Sequence, residues 1–153
     1  AIHVAAQPHR FPSISLDGQA IVVSTTGNAD THLVLRGANS GPNYDEASVA
    51  AAANALREAL LPARLLVDCS HGNSAKDWRR QPKVAADVAR QVAKGSTAIA
   101  GVLLESNLVE GRQDIANGRE GLRYGQSVTD GCIGWDVTVD VLEELARAVR
   151  SRS

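Results

Sequence analysis

Apolar and polar positions along this chain follow two regimes. Residues 1–7 are short and apolar, fitting the end of a helix, and Pro8 stops them. Two β-prone runs follow, residues 11–16 and 20–24, on either side of Asp17-Gly18. A D-G pair between such runs is a hairpin signal, and no other clear hairpin occurs in the sequence. From residue 31 the pattern changes. Residues 31–36 (THLVLR) read as a strand, then a Gly/Asn/Ser/Pro loop leads to a helix over 45–60. Residues 63–69 (ARLLVDC) form a second strand, followed by a loop and a helix over 81–93. Residues 97–104 (TAIAGVLL) form a third strand, followed by a long polar loop with little periodicity. A short fourth strand over 126–129 precedes a helix over 137–149. The chain is thus read as one partial barrel domain with βα units at about 31–60, 63–93, 97–122 and 126–150.

These strands are continuous apolar runs, as expected when both faces of a sheet are covered. Strand followed by helix without interruption implies parallel pairing through right-handed crossovers. A doubly wound sheet and part of a (β/α)8 TIM barrel both satisfy this pattern. The doubly wound sheet normally carries a glycine-rich phosphate loop after an early strand. Neither G-x-G-x-x-G nor G-x-x-x-x-G-K-[ST] occurs. A polar residue instead ends each strand, which is where barrel enzymes keep their chemistry. A complete barrel needs about 250 residues, so this 153-residue chain supplies roughly half of one.

Composition narrows the picture. With aromatics at 3%, the core must be filled by Ala, Val, Leu and Ile. A formal net charge of -1 argues against a polyanion or nucleic-acid binder, so any anion site must be built locally from a few arginines. Two cysteines do not make a disulfide framework, which points to a reducing cytoplasm. No apolar run approaches the roughly 18 residues of a membrane span. Ala at position 1 and the lack of any Met fit either a removed start Met or a piece of a longer chain.

The candidate chemistry lies at the strand ends. Arg36 can grip a phosphate or carboxylate through two parallel hydrogen bonds, or form a surface salt bridge. The preceding turn, Gly27-Asn28 with Asp30, carries a carboxylate able to orient it. His71 in VDCSHGNS is placed to ligate a metal or transfer a proton, or else to be structural. Asp68 and Ser70 beside it favour the metal reading, because metal-bound imidazoles usually have an oriented outer shell. Lys76, Arg79 and Arg80 form a basic cluster at a helix start, with Lys76 near enough to the site to matter. Glu105 and Asp130 each follow an apolar strand, where a carboxylate needs a cation, a donor or a capping role. Together His71, Glu105 and Asp130 are nitrogen and oxygen donors suited to Mn²⁺, Fe²⁺, Co²⁺ or Zn²⁺ rather than Ca²⁺. The arginine beside them suggests a phosphorylated substrate.

Six strings appear in order: GNADTH running into LRG, PNY at 42–44, DCSHGNS at 68–74, ESNLVEG at 105–111, YGQSVTD at 124–130 and CIGW at 132–135. Together they resemble the microbial class I 3-deoxy-D-arabino-heptulosonate-7-phosphate (DAHP) synthases over essentially the whole chain. The resemblance implies barrel strands five to eight, with residues 11–24 as an inserted hairpin. It implies a metal-dependent condensation of phosphoenolpyruvate with erythrose 4-phosphate, the first step of the shikimate pathway to aromatic amino acids. His71, Glu105 and Asp130 match three of the family's four metal ligands. The fourth, a cysteine, belongs to an N-terminal half, and neither Cys69 nor Cys132 occupies its motif. Arg36 matches the arginine on the phosphoenolpyruvate phosphate, and His71 and Asp130 are candidates for proton transfer. In feedback-regulated members the hairpin contributes to an aromatic amino acid site, which here draws in Phe11, Ser13 and Val23. A homo-oligomer is expected of the complete enzyme. Two departures stand out: Ala38 with a longer 39–41 loop where the family usually has a second glycine, and Gly131 where it often has alanine. The alternatives are a catalytically incomplete half barrel that needs an N-terminal half, and an octulosonate-phosphate synthase.

Overall fold

The D-G turn dictates the first unit. The computed structural model describes residues 1–115 and 118–152, which divide into two compact units, Ala1–His32 and Leu33–Ser153. In the first, helix α1 (Ile2–Ala5) precedes strands β1 (Arg10–Ile14) and β2 (Ala20–Ser24). The strands pair antiparallel, with Phe11 opposite Val23 and Ser13 opposite Ile21. The Ser15 N–H donates to Gln19 O at 2.9 Å, which leaves a three-residue loop at 16–18. Its last residue, Gly18, has φ 77°, a conformation that a β-carbon would penalise.

The second unit is α/β. Strands β3 (Leu33–Leu35), β4 (Leu65–Asp68) and β5 (Ile99–Leu103) form a parallel sheet with β4 in the centre. Helix α2 (Glu46–Glu58) links β3 to β4, and α3 (Gln81–Ala93) links β4 to β5. Helix α2 starts where the Asp45 carboxylate accepts the Ser48 N–H at 3.0 Å, an N-cap of the usual kind. Those Ser48 bonds hold the Asp45 carboxyl below its ordinary range. In α3, Val84, Ala85, Val88, Ala89 and Val92 repeat at helical spacing and are all buried. Leu65 and Val67, on one face of β4, are both 0% exposed, while Leu66 and Asp68 on the other are half-buried and buried. Helix α4 (Trp135–Arg150) packs against α3, contributing buried Val141 and Ala148.

The segment read as a featureless polar loop is organised. Residues Val109–Arg112 form β6, and the expected fourth strand is only Gln126–Ser127 (β7), which pairs parallel with β6 rather than with β5. Side-chain amides hold this pair. Gln113 Nε2 donates to Arg123 O at 2.8 Å and Gln126 O at 2.9 Å, while its Oε1 accepts the Arg123 N–H at 2.8 Å. These clasps supplement backbone bonds from Val109 N–H to Gly125 O and from Gln113 N–H to Ser127 O, both at 2.8 Å, and no apolar period marks the strand. Residues 116 and 117 of the expected third βα unit lie outside the described residues. Among the described residues no helix is long and apolar enough to cross a membrane.

Candidate active site

Strand β4 delivers a buried carboxylate to its own C-terminal end, and the site is built around it. Asp68 Oδ1 accepts the Ser70 N–H at 2.9 Å and the Ser70 hydroxyl at 2.5 Å. Asp68 Oδ2 lies 2.9 Å from His71 Nδ1 and 3.6 Å from Arg36 Nε. His71 Nδ1 also lies 2.8 Å from Ser70 Oγ, and these contacts turn Nε2 toward Glu105, whose Oε1 is 3.5 Å away. Arg36, just past the end of β3, shares the same acid. One buried aspartate thus orients the histidine and the arginine together.

The loop after β4 is forced into unusual backbone. His71, Ala75 and Lys76 have φ of 48°, 55° and 62°, values rare for residues with a β-carbon. Hydrogen bonds hold it, with Lys76 N–H donating to His71 O at 2.7 Å and Gly72 N–H to Arg36 O at 3.1 Å. The last bond brings two backbones together. A Cβ on Gly37 would lie 2.6 Å from the Gly72 carbonyl carbon, so the close approach needs glycine.

Two buried amides fasten these strand ends. Asn73 Nδ2 donates to Leu35 O at 3.0 Å and Asp68 O at 2.8 Å, while its Oδ1 accepts the Asn43 N–H at 2.8 Å. Asn43 in turn accepts the Gly37 N–H at 2.7 Å. Gln81, the first residue of α3, makes two bonds with the Glu105 backbone.

A cavity of about 290 Å³ opens over this floor, lined by Arg36, His71, Ser74, Lys76, Trp78, Glu105, Asp130 and Gly131. Burial pushes the Glu105 carboxyl above its usual range; His71 and Arg36 oppose the shift, while Asp130 and Asp68 add to it. Burial also pushes the Cys69 thiol up to about 12, which leaves it protonated and unreactive at neutral pH. Trp78 forms one wall. A Cβ on Gly131 would lie 2.2 Å from Trp78 Cδ1, so the indole occupies space that alanine would need. The Arg79 guanidinium stacks over that indole at 4.2 Å from its centroid. A second cavity, of about 350 Å³ between α2 and the turn after α3, gathers no comparable set of acid, base and imidazole groups.

His71, Glu105 and Asp130 match a divalent transition metal in donor type, one imidazole and two carboxylates. Among the described residues, however, no group of three His, Cys, Asp or Glu is close enough to hold an ion. His71 and Glu105 meet, whereas Asp130 lines the same cavity and acts on Glu105 through its charge. Like charge keeps two carboxylates apart unless a cation joins them. The fit is therefore in kind and in location, short of a closed ligand set.

Residues 1–143 match the DAHP synthetase I family model. The chain belongs to this family. A putative phospho-2-dehydro-3-deoxyheptonate aldolase of Schizosaccharomyces pombe is 52% identical over 153 residues, covering 99% of this chain and 42% of its own length. The phenylalanine-sensitive phospho-2-dehydro-3-deoxyheptonate aldolase of Escherichia coli is 47% identical over 152 residues, covering 99% and 43%. A solved phospho-2-dehydro-3-deoxyheptonate aldolase of Francisella tularensis superposes with a TM-score of 0.91 at 43% identity, over 99% of this chain and 44% of that one. The chain spans less than half the length of these relatives.

Within this DAHP synthetase I family chain, Arg36, His71, Lys76, Glu105 and Asp130 gather at one cavity. Asp30 lies in the first unit, where its N–H donates to Asn28 Oδ1 at 2.9 Å in a tight turn. Phe11, Ser13 and Val23 lie in the hairpin of that unit. Asn73, Gln81 and Trp78 carry no signal in the apolar periodicity. A sequence cue for Asn73 was its place in the polar run that follows β4. Gln81 enters the sequence reading only as the start of the 81–93 helix, and Trp78 does not enter it.

Proposed function

We propose that this chain is the C-terminal half, about strands five to eight, of a (β/α)8 DAHP synthase that condenses phosphoenolpyruvate with erythrose 4-phosphate. The observation that carries the reading is the convergence of Arg36, Lys76, His71, Glu105 and Asp130 on one cavity. Arg36 binds the phosphoenolpyruvate phosphate, and its contact with Asp68 sets its direction. Lys76 adds a second positive charge to the same wall, and Asp30 is a further substrate-binding residue in this reading. His71, Glu105 and Asp130 would hold one divalent ion, Mn²⁺, Fe²⁺, Co²⁺ or Zn²⁺, which when bound supplies Lewis-acid polarisation of the aldehyde. The enol carbon of phosphoenolpyruvate attacks that aldehyde, water adds to the resulting cationic centre, and phosphate leaves with C–O cleavage. His71 and Asp130 are the groups placed to move protons during these steps.

A specific observation supports the incomplete-barrel part of the reading. Among the described residues β3 and β5 each have one strand neighbour, and open parallel edges call for further strands. The reading therefore includes an N-terminal half that supplies the remaining strands, the fourth ligand and most substrate contacts. It also places the complete enzyme in the cytoplasm as a homo-oligomer, with Phe11, Ser13 and Val23 in an aromatic amino acid site. The relatives named as phenylalanine-inhibited and tyrosine-inhibited support that last element.

The test is to mix the purified chain with an N-terminal half and follow loss of phosphoenolpyruvate. Turnover that needs both parts, erythrose 4-phosphate and a divalent metal is expected. Full activity from the chain alone overturns the half-enzyme reading, and a preference for arabinose 5-phosphate transfers it to the octulosonate-phosphate synthases. In the mixture, near-normal turnover of His71→Ala at saturating Mn²⁺ removes His71 from the ligand set.

A further inference from the structure

Glu105 stands beyond the reach of the sheet that leads to it. Strand β5 ends at Leu103, whose carbonyl takes the Cys69 N–H as a ladder bond at 2.9 Å. Two residues later the backbone at Glu105 is fastened by a side chain. Gln81 Oε1 accepts the Glu105 N–H at 2.8 Å, and Gln81 Nε2 donates to Glu105 O at 3.1 Å. The Ile133 N–H adds a further bond to that same carbonyl, at 2.9 Å. Gln81 is 0% exposed, so its amide is fixed in place and has no water to exchange with. A primary amide that both donates to and accepts from one residue copies the pairing of a neighbouring strand.

This arrangement has a consequence for the side chain it controls. Glu105 Oε1 lies 3.5 Å from His71 Nε2, and metal coordination tolerates shifts of only a few tenths of an ångström. We propose that Gln81 is a positioning residue that sets the Glu105 carboxylate against His71 and so determines the affinity of the site for a divalent metal. The inference rests on the metal reading of the site given above. The clamp acts through the Glu105 backbone, with Gln81 itself touching neither metal nor substrate.

Helix α3 contains its own control. Gln91 is also buried, and its Nε2 donates to Tyr44 O and Asp87 Oδ1, both at 2.8 Å, away from the cavity that holds Glu105. Replacing either glutamine by methionine keeps the length and removes the amide. Loss of buried hydrogen bonds lowers the melting temperature in both cases, but only Gln81→Met should disturb Glu105.

The experiment is a Co²⁺ titration of the chain mixed with its N-terminal half, followed by visible absorption, for wild type, Gln81→Met, Gln81→Glu and Gln91→Met. Orienting groups around metal ligands typically change affinity by about 10–100-fold, and Gln81→Met is expected to weaken Co²⁺ binding within that range. Gln91→Met should bind as wild type does. Gln81→Glu keeps the acceptor for the Glu105 N–H and should lose less; it carries the test should Gln81→Met fail to fold. Wild-type affinity in the foldable Gln81 variant, or an equal loss in Gln91→Met, overturns the inference while leaving the metal reading intact. A wild-type mixture of the two halves that takes up no Co²⁺ overturns the metal reading, and this inference falls with it.

Discussion

The two units of this chain are specified in opposite ways. The hairpin unit holds its register through backbone pairing and a glycine turn, with no buried residue in either strand. Ile14 is 73% exposed and Val22 71%. The second unit buries its strands completely at Leu65 and Val67, then crowns them with a layer of buried polar groups: Asp68, Ser70, Asn73 and Gln81. A two-stranded hairpin is only marginally stable by itself, whereas a buried sheet with a satisfied polar layer is cooperative and intolerant of change. Perturbations should therefore cost much at the strand-end layer of the second unit and little in the hairpin.

The largest effect is expected at Asn73. Leucine has the same branched shape with greater bulk but offers nothing to Leu35 O, Asp68 O or the Asn43 N–H. At about 1–3 kcal/mol for each buried group left unpaired, Asn73→Leu should lose roughly 3–9 kcal/mol. Urea unfolding reads this directly. A loss below about 1 kcal/mol would show that water replaces the amide and that the polar layer is not the cooperative element described.

A smaller loss is expected where Trp78 meets Gly131. Gly131→Ala places a methyl group 2.2 Å from Trp78 Cδ1 and forces the indole to move. Overpacking of this kind costs about 1–3 kcal/mol. Trp78→Ala removes the colliding indole, and in that background Gly131→Ala should cost less than half as much. If Gly131→Ala costs as much without Trp78 as with it, the contact is not what constrains residue 131.

Much of this contrast could be read in the sequence. Asp17-Gly18 between β-prone runs announced the hairpin, and the apolar runs at 63–69 and 97–104 announced parallel strands, but only the central β4 is largely buried, whereas Ala100 and Leu103 of β5 are exposed. The polar residues ending those strands announced the cavity as well, because Arg36, His71 and Glu105 emerge from neighbouring strands of one sheet. Hidden were the features made by side-chain amides. The Gln113 clasp that supplements the backbone bonds between β6 and β7 has no period, since one side chain makes it. Gln81 and Asn73 act on backbone 24 and 38 residues away in sequence, and no local pattern encodes such a reach. Asp130 lines the same cavity as His71 and Glu105, and its charge acts on Glu105 only once the chain has folded.

The smallest effect is expected in the hairpin, and it is the sharpest test of the contrast. Ile14→Thr with Val22→Thr exchanges two exposed apolar side chains for β-branched polar ones of similar strand preference. Exposed substitutions that remove no special contact usually fall within about 0.5 kcal/mol. The main thermal transition of the chain, which reports the buried sheet, should not move measurably in the double variant. Gly18→Val attacks the same unit differently, because a β-branched residue is costly at φ 77°. It should open the hairpin to limited proteolysis near residues 15–19 while leaving that main transition in place. If either variant lowers the main transition by several degrees, the hairpin and the sheet unfold as one cooperative body. The exposed faces of Ile14 and Val22 would then be sharing the stability of the second unit rather than standing apart from it.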